Sequence, residues 1–140
     1  MAGYSGTPLP RKLGLKAGAR LGLAGAPSNF LATLGELPEG VTTVDAKGRS
    51  GPFDVIVFFA RSTRDLETAF ASLREKLDVA GGLWISWPKK LSGVATDLTE
   101  ASVRAIGLGT GLVDNKVCAI DDVWSGLRFV VRLADRPKRG

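Results

Sequence analysis

The sequence has no histidine and one cysteine in 140 residues. Without histidine it lacks the commonest general base, the usual partner of a nucleophilic serine or cysteine, and the commonest metal ligand. A single thiol cannot form an intramolecular disulfide, and the two shortages together leave no basis for a zinc or iron–sulfur centre. Cys118 lies in the apolar run Val117-Cys118-Ala119-Ile120, where burial would raise its pKa and make it a structural thiol in a reducing compartment. Long apolar runs are missing as well. No stretch approaches the roughly 18 apolar residues of a membrane span, and Met1 to Pro10 carry no signal-peptide core, so a cytoplasmic protein without membrane contact is expected. There is no P-loop, because the glycine–lysine contexts lack the flanking glycine and the following Ser or Thr. The adjacent acids Asp121 and Asp122 read as a solvated turn rather than a cation site, so no metal is expected.

Charge is present, but it is unevenly placed. The formal net charge is +5. Arg11, Lys12, Lys16 and Arg20 stand among the first 20 residues with no acid, and Arg136, Lys138 and Arg139 face only Asp135 at the end. The body from 21 to 133 holds twelve bases and thirteen acids. A near-neutral body with basic ends argues against specific nucleic-acid binding, since a nucleic-acid footprint is a contiguous basic face. The length suits one domain over 1–140, with an irregular lead-in over about 1–6 and a basic tail over about 134–140.

Hydrophobic patterning is alternating α/β. Leu9, Leu13 and Leu15 among basic residues suggest a short amphipathic helix, with Thr7 as N-cap and Pro8 at its first position. Leu21 to Gly25 reads as a buried first strand. Asn29 to Leu34 reads as a short helix ended by Gly35, and Val41 to Val44 as a β-branched strand. Phe53-Asp54-Val55-Ile56-Val57-Phe58-Phe59 is apolar on both faces, which predicts an interior strand of a largely parallel sheet. Leu66, Phe70, Leu73 and Leu77 are spaced by four, three and four, which predicts a helix with Ser62 or Thr63 as N-cap. After Gly81-Gly82 comes a buried strand, Leu83 to Trp87, stopped by Pro88. Asp97 and Glu100 resemble a capping box before a helix carrying Val103 and Ile106, ended by the glycines at 107, 109 and 111. Lys116 to Ile120 and Leu127 to Leu133 then form an antiparallel pair. The expected fold class is α/β: a single Rossmann-like domain with a mostly parallel six-stranded sheet, an antiparallel C-terminal hairpin and helices on both faces.

Gly3-Tyr4-Ser5-Gly6-Thr7-Pro8-Leu9 with Lys12-Leu13-Gly14, Ser86-Trp87-Pro88-Lys89-Lys90, and Asp114 to Asp122 with Trp124-Ser125-Gly126-Leu127-Arg128-Phe129 run nearly the whole length of the chain. In these segments it resembles a family of small bacterial proteins grouped as a domain of unknown function. At fold level, the central strand, the Gly-Gly strand and the terminal hairpin are similar to the second half of class I S-adenosylmethionine-dependent methyltransferases. That resemblance implies a glycine-rich loop after the first strand and an acid ending the second. Here the loop is Gly22-Leu23-Ala24-Gly25-Ala26-Pro27, which departs from G-x-G-x-G and ends in proline; Asp45 does end the second strand. The chain is also about one βα unit shorter than such an enzyme.

In open parallel sheets ligands bind beyond the carboxyl ends of the strands. The segments there carry Gly25, Ser28 and Asn29 after the first strand; Asp45 after the second; Arg61, Ser62, Thr63 and Arg64 after the Phe59 strand; and Trp87, Lys89 and Lys90 at the Pro88 strand. Four cations beside a helix N-terminus would form an anion site. The expected function is therefore a non-catalytic binding or interaction module that holds an anionic ligand, or a protein partner, at this edge. It would need no cofactor and would not be an enzyme. The alternative is a small methyltransferase that uses S-adenosylmethionine through an atypical glycine loop.

Overall fold

Six extended stretches, five of them carrying β-branched or aromatic residues, pair into one sheet in the order β2-β1-β3-β4-β6-β5. The strands are β1 Arg20–Ala24, β2 Thr42–Asp45, β3 Phe53–Phe59, β4 Leu77–Pro88, β5 Leu112–Ala119 and β6 Trp124–Val131. The computed structural model describes residues 7–46 and 51–136. The expected lead-in over 1–6 and the last residues of the basic tail lie outside the described residues.

β1 runs parallel to both β2 and β3, and β3 parallel to β4; β6 is antiparallel to β4 and to β5. The architecture is thus an α/β fold with a mixed six-stranded sheet and an antiparallel hairpin. As its two-faced apolarity predicts, β3 is interior, between β1 and β4.

Alternation along the strands divides the core in two. Ile56, Phe58, Leu83 and Ile85 pack with Leu66, Phe70 and Leu73 of α3 (Thr63–Glu75), with Val103 of α4 (Glu100–Gly109) and with Phe129. Phe70 and Phe129 meet edge to face at 5.8 Å. Val55, Val57, Phe59 and Trp84 pack instead with Leu9 of α1 (Leu9–Lys12), the adjacent Leu13, and Phe30 and Leu34 of α2 (Phe30–Leu34). Trp84 is fully buried, and its indole Nε1 donates to the Leu13 carbonyl at 3.0 Å, so a polar handle is satisfied inside the core.

Several boundaries differ from expectation for identifiable reasons. α1 begins after Pro8, which stands at the N-cap with no side-chain cap, while Pro10 occupies its first turn. The box opening α4 is Thr99 with Ser102, two residues later than predicted: Ser102 N donates to Thr99 Oγ1 at 3.1 Å and Thr99 N to Ser102 Oγ at 2.9 Å. Asp97 is released from that role because it serves another helix. Gly107 and Gly109 lie within α4 rather than ending it. Gly107 is there because a Cβ would overlap the Phe129 ring, and the chain reverses only at Gly111, with φ of 92°. β4 starts at Leu77, directly after α3, with a bulge that moves its pairing from Phe53↔Leu77 to Val55↔Gly82. β5 begins at Leu112 and carries an irregularity between Asp114 and Lys116.

Candidate functional site

The carboxyl ends of β1, β2 and β3 meet at one edge of the sheet. β1 leaves through Gly25, whose φ of 68° suits glycine and whose missing Cβ would sit 3.1 Å from the Phe59 carbonyl oxygen. β2 ends in Asp45. Between these two strand ends lies a cleft of about 330 Å³ lined by Leu23, Gly25, Ala26, Thr43, Val44 and Asp45. Two of the expected residues, Gly25 and Asp45, are thus brought together.

Arg61 follows β3 and turns back over the same edge. Its Nη1 donates to the carbonyl oxygens of Gly25 and Phe59, both at 3.2 Å. Its guanidinium lies 5.3 Å from the centroid of the Trp124 ring. The backbone on either side is held as well: Arg61 N donates to Asp65 Oδ2 at 3.1 Å, and Thr96 Oγ1 donates to the Arg61 carbonyl at 2.8 Å.

Two of the amides at the start of α3 are met by the protein itself. Ser62 is the N-cap and accepts from Asp65 N at 3.0 Å, while Thr63 N donates to Asp97 Oδ1 at 2.7 Å. Arg64 is exposed on the first turn. Ser28 and Asn29 are exposed before α2, and the Asn29 carbonyl, not its side chain, takes the bonds from Thr33.

Trp87 is only 5 % exposed and belongs to the core on the α3 and α4 side. With Lys90 it lines a second cleft, of about 450 Å³, beneath the segment from Gly93 to Glu100. Lys89 N donates to the Val123 carbonyl at 2.7 Å, tying the end of β4 to the turn before β6. Arg61 and Lys90 therefore serve different places. Arg61 reaches Gly25 and Trp124, and Lys90 stands at the cleft beside Trp87.

Three contributors escape sequence reasoning. Trp124 supplies the surface under Arg61, and Thr96 and Asp97 fasten the segment after β4 onto the β3–α3 junction. Only Trp124 carries a local signal. Asp121 Oδ1 accepts from Val123 N and Trp124 N, both at 2.8 Å, a turn that sets the ring's position and agrees with reading that acidic pair as turn chemistry. Cys118 is half-buried on β5, and burial pushes its thiol pKa up against the pull of Lys12 and Lys116. Among the described residues no helix is long and apolar enough to cross a membrane.

No family model and no curated protein matches the sequence. Solved structures do match its fold. A protein from Sulfolobus solfataricus described as a putative type 11 methyltransferase superposes with a TM-score of 0.64 at 14 % identity, covering 93 % of this chain and 93 % of that one. The magnesium protoporphyrin IX methyltransferase of Synechocystis PCC 6803 with bound SAM gives 0.57 at 16 % identity, covering 89 % of this chain and 74 % of that one. The N-methyltransferase NodS of Bradyrhizobium japonicum gives 0.57 at 16 % identity, over 86 % and 90 %. These neighbours count against the expectation of a non-catalytic module that is not an enzyme: each of the three is described as a methyltransferase, which favours the alternative reading over it. The fold of this chain is the Rossmann-like fold of the class I S-adenosylmethionine-dependent methyltransferases.

Proposed function

We propose that the chain is a small S-adenosylmethionine-dependent methyltransferase whose cofactor is held at the carboxyl edge, over the ends of β1 and β2. The observation that carries this reading is the cleft itself. A glycine turn and a strand-end acid line one space at the position where open α/β sheets take their ligands.

The residues present fit the group. Gly25, which its φ and the nearby Phe59 carbonyl keep free of a side chain, lines the cleft with backbone alone. An ionised Asp45 offers acceptors only, which suits a vicinal pair of ribose hydroxyl donors. Leu23, Ala26 and Val44 add apolar surface for a base. When bound, S-adenosylmethionine supplies a methyl group on a sulfonium. The chain's part is to bind, orient and exclude water. With no histidine to take a proton, rate enhancement would rest on positioning and desolvation rather than on a histidine base. In this reading α1 and α2 cover one face of the sheet and α3 and α4 the other, which leaves the carboxyl edge for ligand.

Titration calorimetry with S-adenosylmethionine and S-adenosylhomocysteine tests the proposal. Asp45→Ala should weaken both by about tenfold or more, the size of a hydrogen bond to a charged group, with little change in melting temperature because Asp45 is exposed. Absence of binding by the parent protein at millimolar nucleoside would refute the reading.

A further inference from the structure

We infer that Arg61 is the clamp for the carboxylate of the cofactor's amino-acid tail. The inference rests on the methyltransferase reading and assigns a part of the ligand which the cleft between Gly25 and Asp45 leaves unanswered.

A guanidinium has five N–H donors in a rigid plane. In Arg61 the Nη1 group is spent on the carbonyls of Gly25 and Phe59, and Trp124 lies beneath the plane. The residue is surface-exposed, yet its side chain is anchored to two strand ends and a ring, and its backbone is pinned by Asp65 and Thr96. Such anchoring fixes the direction of the remaining edge. Nε and Nη2 have no hydrogen-bond partner among the described residues, and together they are the fork that takes a carboxylate in two places.

Position matters as much as chemistry. Through the Gly25 carbonyl the guanidinium stands at the rim of the cleft that Asp45 also lines. The edge therefore carries an acceptor on the β2 side and a held cation on the β3 side. A nucleoside bearing an amino-acid tail has complementary ends, hydroxyl donors on the sugar and a carboxylate on the tail. A nucleoside without that tail would satisfy only Asp45. Because the guanidinium is already ordered, little side-chain freedom is lost on binding, so the contact should register in affinity.

The experiment compares S-adenosylhomocysteine with 5′-methylthioadenosine, which share the adenosine and the thioether but differ in the tail. Calorimetry on the full chain should show the first binding about tenfold or more tighter than the second, the size of a charge-assisted contact. Arg61→Ala should collapse that ratio, chiefly by weakening S-adenosylhomocysteine, and the variant's melting temperature together with its remaining methylthioadenosine binding shows that it is folded with its cleft formed. Arg61→Lys, with the charge but not the fork, should recover only part of the ratio. A ratio retained in Arg61→Ala would overturn the clamp. So would tighter S-adenosylhomocysteine binding in that variant, which would mean that the guanidinium occupies the place of the tail's ammonium. If methylthioadenosine binds but the parent shows no preference, Arg61 alone is wrongly assigned; if the parent binds neither nucleoside, the cofactor reading falls with it.

Discussion

Gly107→Ala is expected to destabilise the protein even though it improves an α-helix. Replacing an interior helical glycine by alanine ordinarily gains about 1 kcal/mol. Gly107, however, sits on the inner face of α4, where three atoms of the buried Phe129 ring would crowd a new Cβ, the farthest of them at 2.7 Å. Ordinary carbon contacts are about 3.5–4.0 Å, so α4 or the ring must move. Phe129 cannot yield freely, since it packs edge to face on Phe70 and lies in the core with Leu83 and Leu127. Overpacking costs roughly 1–3 kcal/mol, and overlap with three ring atoms places this case at the upper end, about 3 kcal/mol. Set against the helical gain, a net loss of about 2 kcal/mol would lower the melting temperature by about 6–8 °C for a chain of this size. Gly109→Ala is the control: the same helix, no positive φ, and nothing within 4 Å of its Cβ. It should be neutral or raise stability by a few tenths of a kcal/mol. Thermal melts and urea titrations of both variants read the difference. If Gly107→Ala were as stable as Gly109→Ala, the packing of α4 on β6 would be wrong.

Leu73→Ala should cost about 2–5 kcal/mol in urea denaturation, because its side chain is 4 % exposed within the core under α3; a loss below about 0.5 kcal/mol, the range of surface changes, would reject that face. Asp97→Ala should cost about 1 kcal/mol through loss of the bond to Thr63 N, read as a lowered melting temperature that Asp97→Asn partly restores. Cys118 should react with iodoacetamide more slowly than a free thiol at neutral pH. Its folded pKa is raised above the ordinary value of 9.0, so its contribution to stability is fully present below that pH and is lost as pH rises further. Stability measured between pH 8 and 10.5 should accordingly fall less steeply in Cys118→Ser.

What the sequence made legible was whatever depended on periodicity. The two-faced apolarity of Phe53 to Phe59 places β3 to the residue, and the series Leu66, Phe70, Leu73 and Leu77 places α3 except for its last member, since the helix ends at Glu75 and Leu77 opens β4. Cap residues were harder, because Asp97 and Thr99 both suit an N-cap and only tertiary contact decides. Asp97 reaches Thr63, 34 positions away, which leaves Thr99 to open α4. Gly107 read as a helix stop because nothing local distinguishes a stopping glycine from one that admits a distant ring. At the edge of the sheet, Gly25 and Asp45 followed from strand ends alone. The separation of Arg61 from Lys90 did not, since it depends on where a side chain turns after the strand finishes, and Trp124 draws Arg61 one way while the segment after β4 holds Lys90 at another cleft. The functional reading went wrong at the same level: absence of histidine and an irregular glycine loop argue against familiar catalytic machinery, but they do not change a topology.

The two outermost strands have a bearing on how the protein behaves at high concentration. An open sheet exposes unpaired N–H and C=O groups along each border, and a long, flat border invites another molecule to add to it. Here one border is β2, only four residues long, and the other is β5, whose eight residues are interrupted between Asp114 and Lys116. Neither offers an uninterrupted template. Lys116 also leaves the strand to donate from Nζ to the Lys12 carbonyl at 3.1 Å, which sets a cation and the chain's N-terminal segment beside the broken stretch. Straightening β5 by deleting Asn115 would remove this protection, and the first symptom would be self-association in concentrated solution.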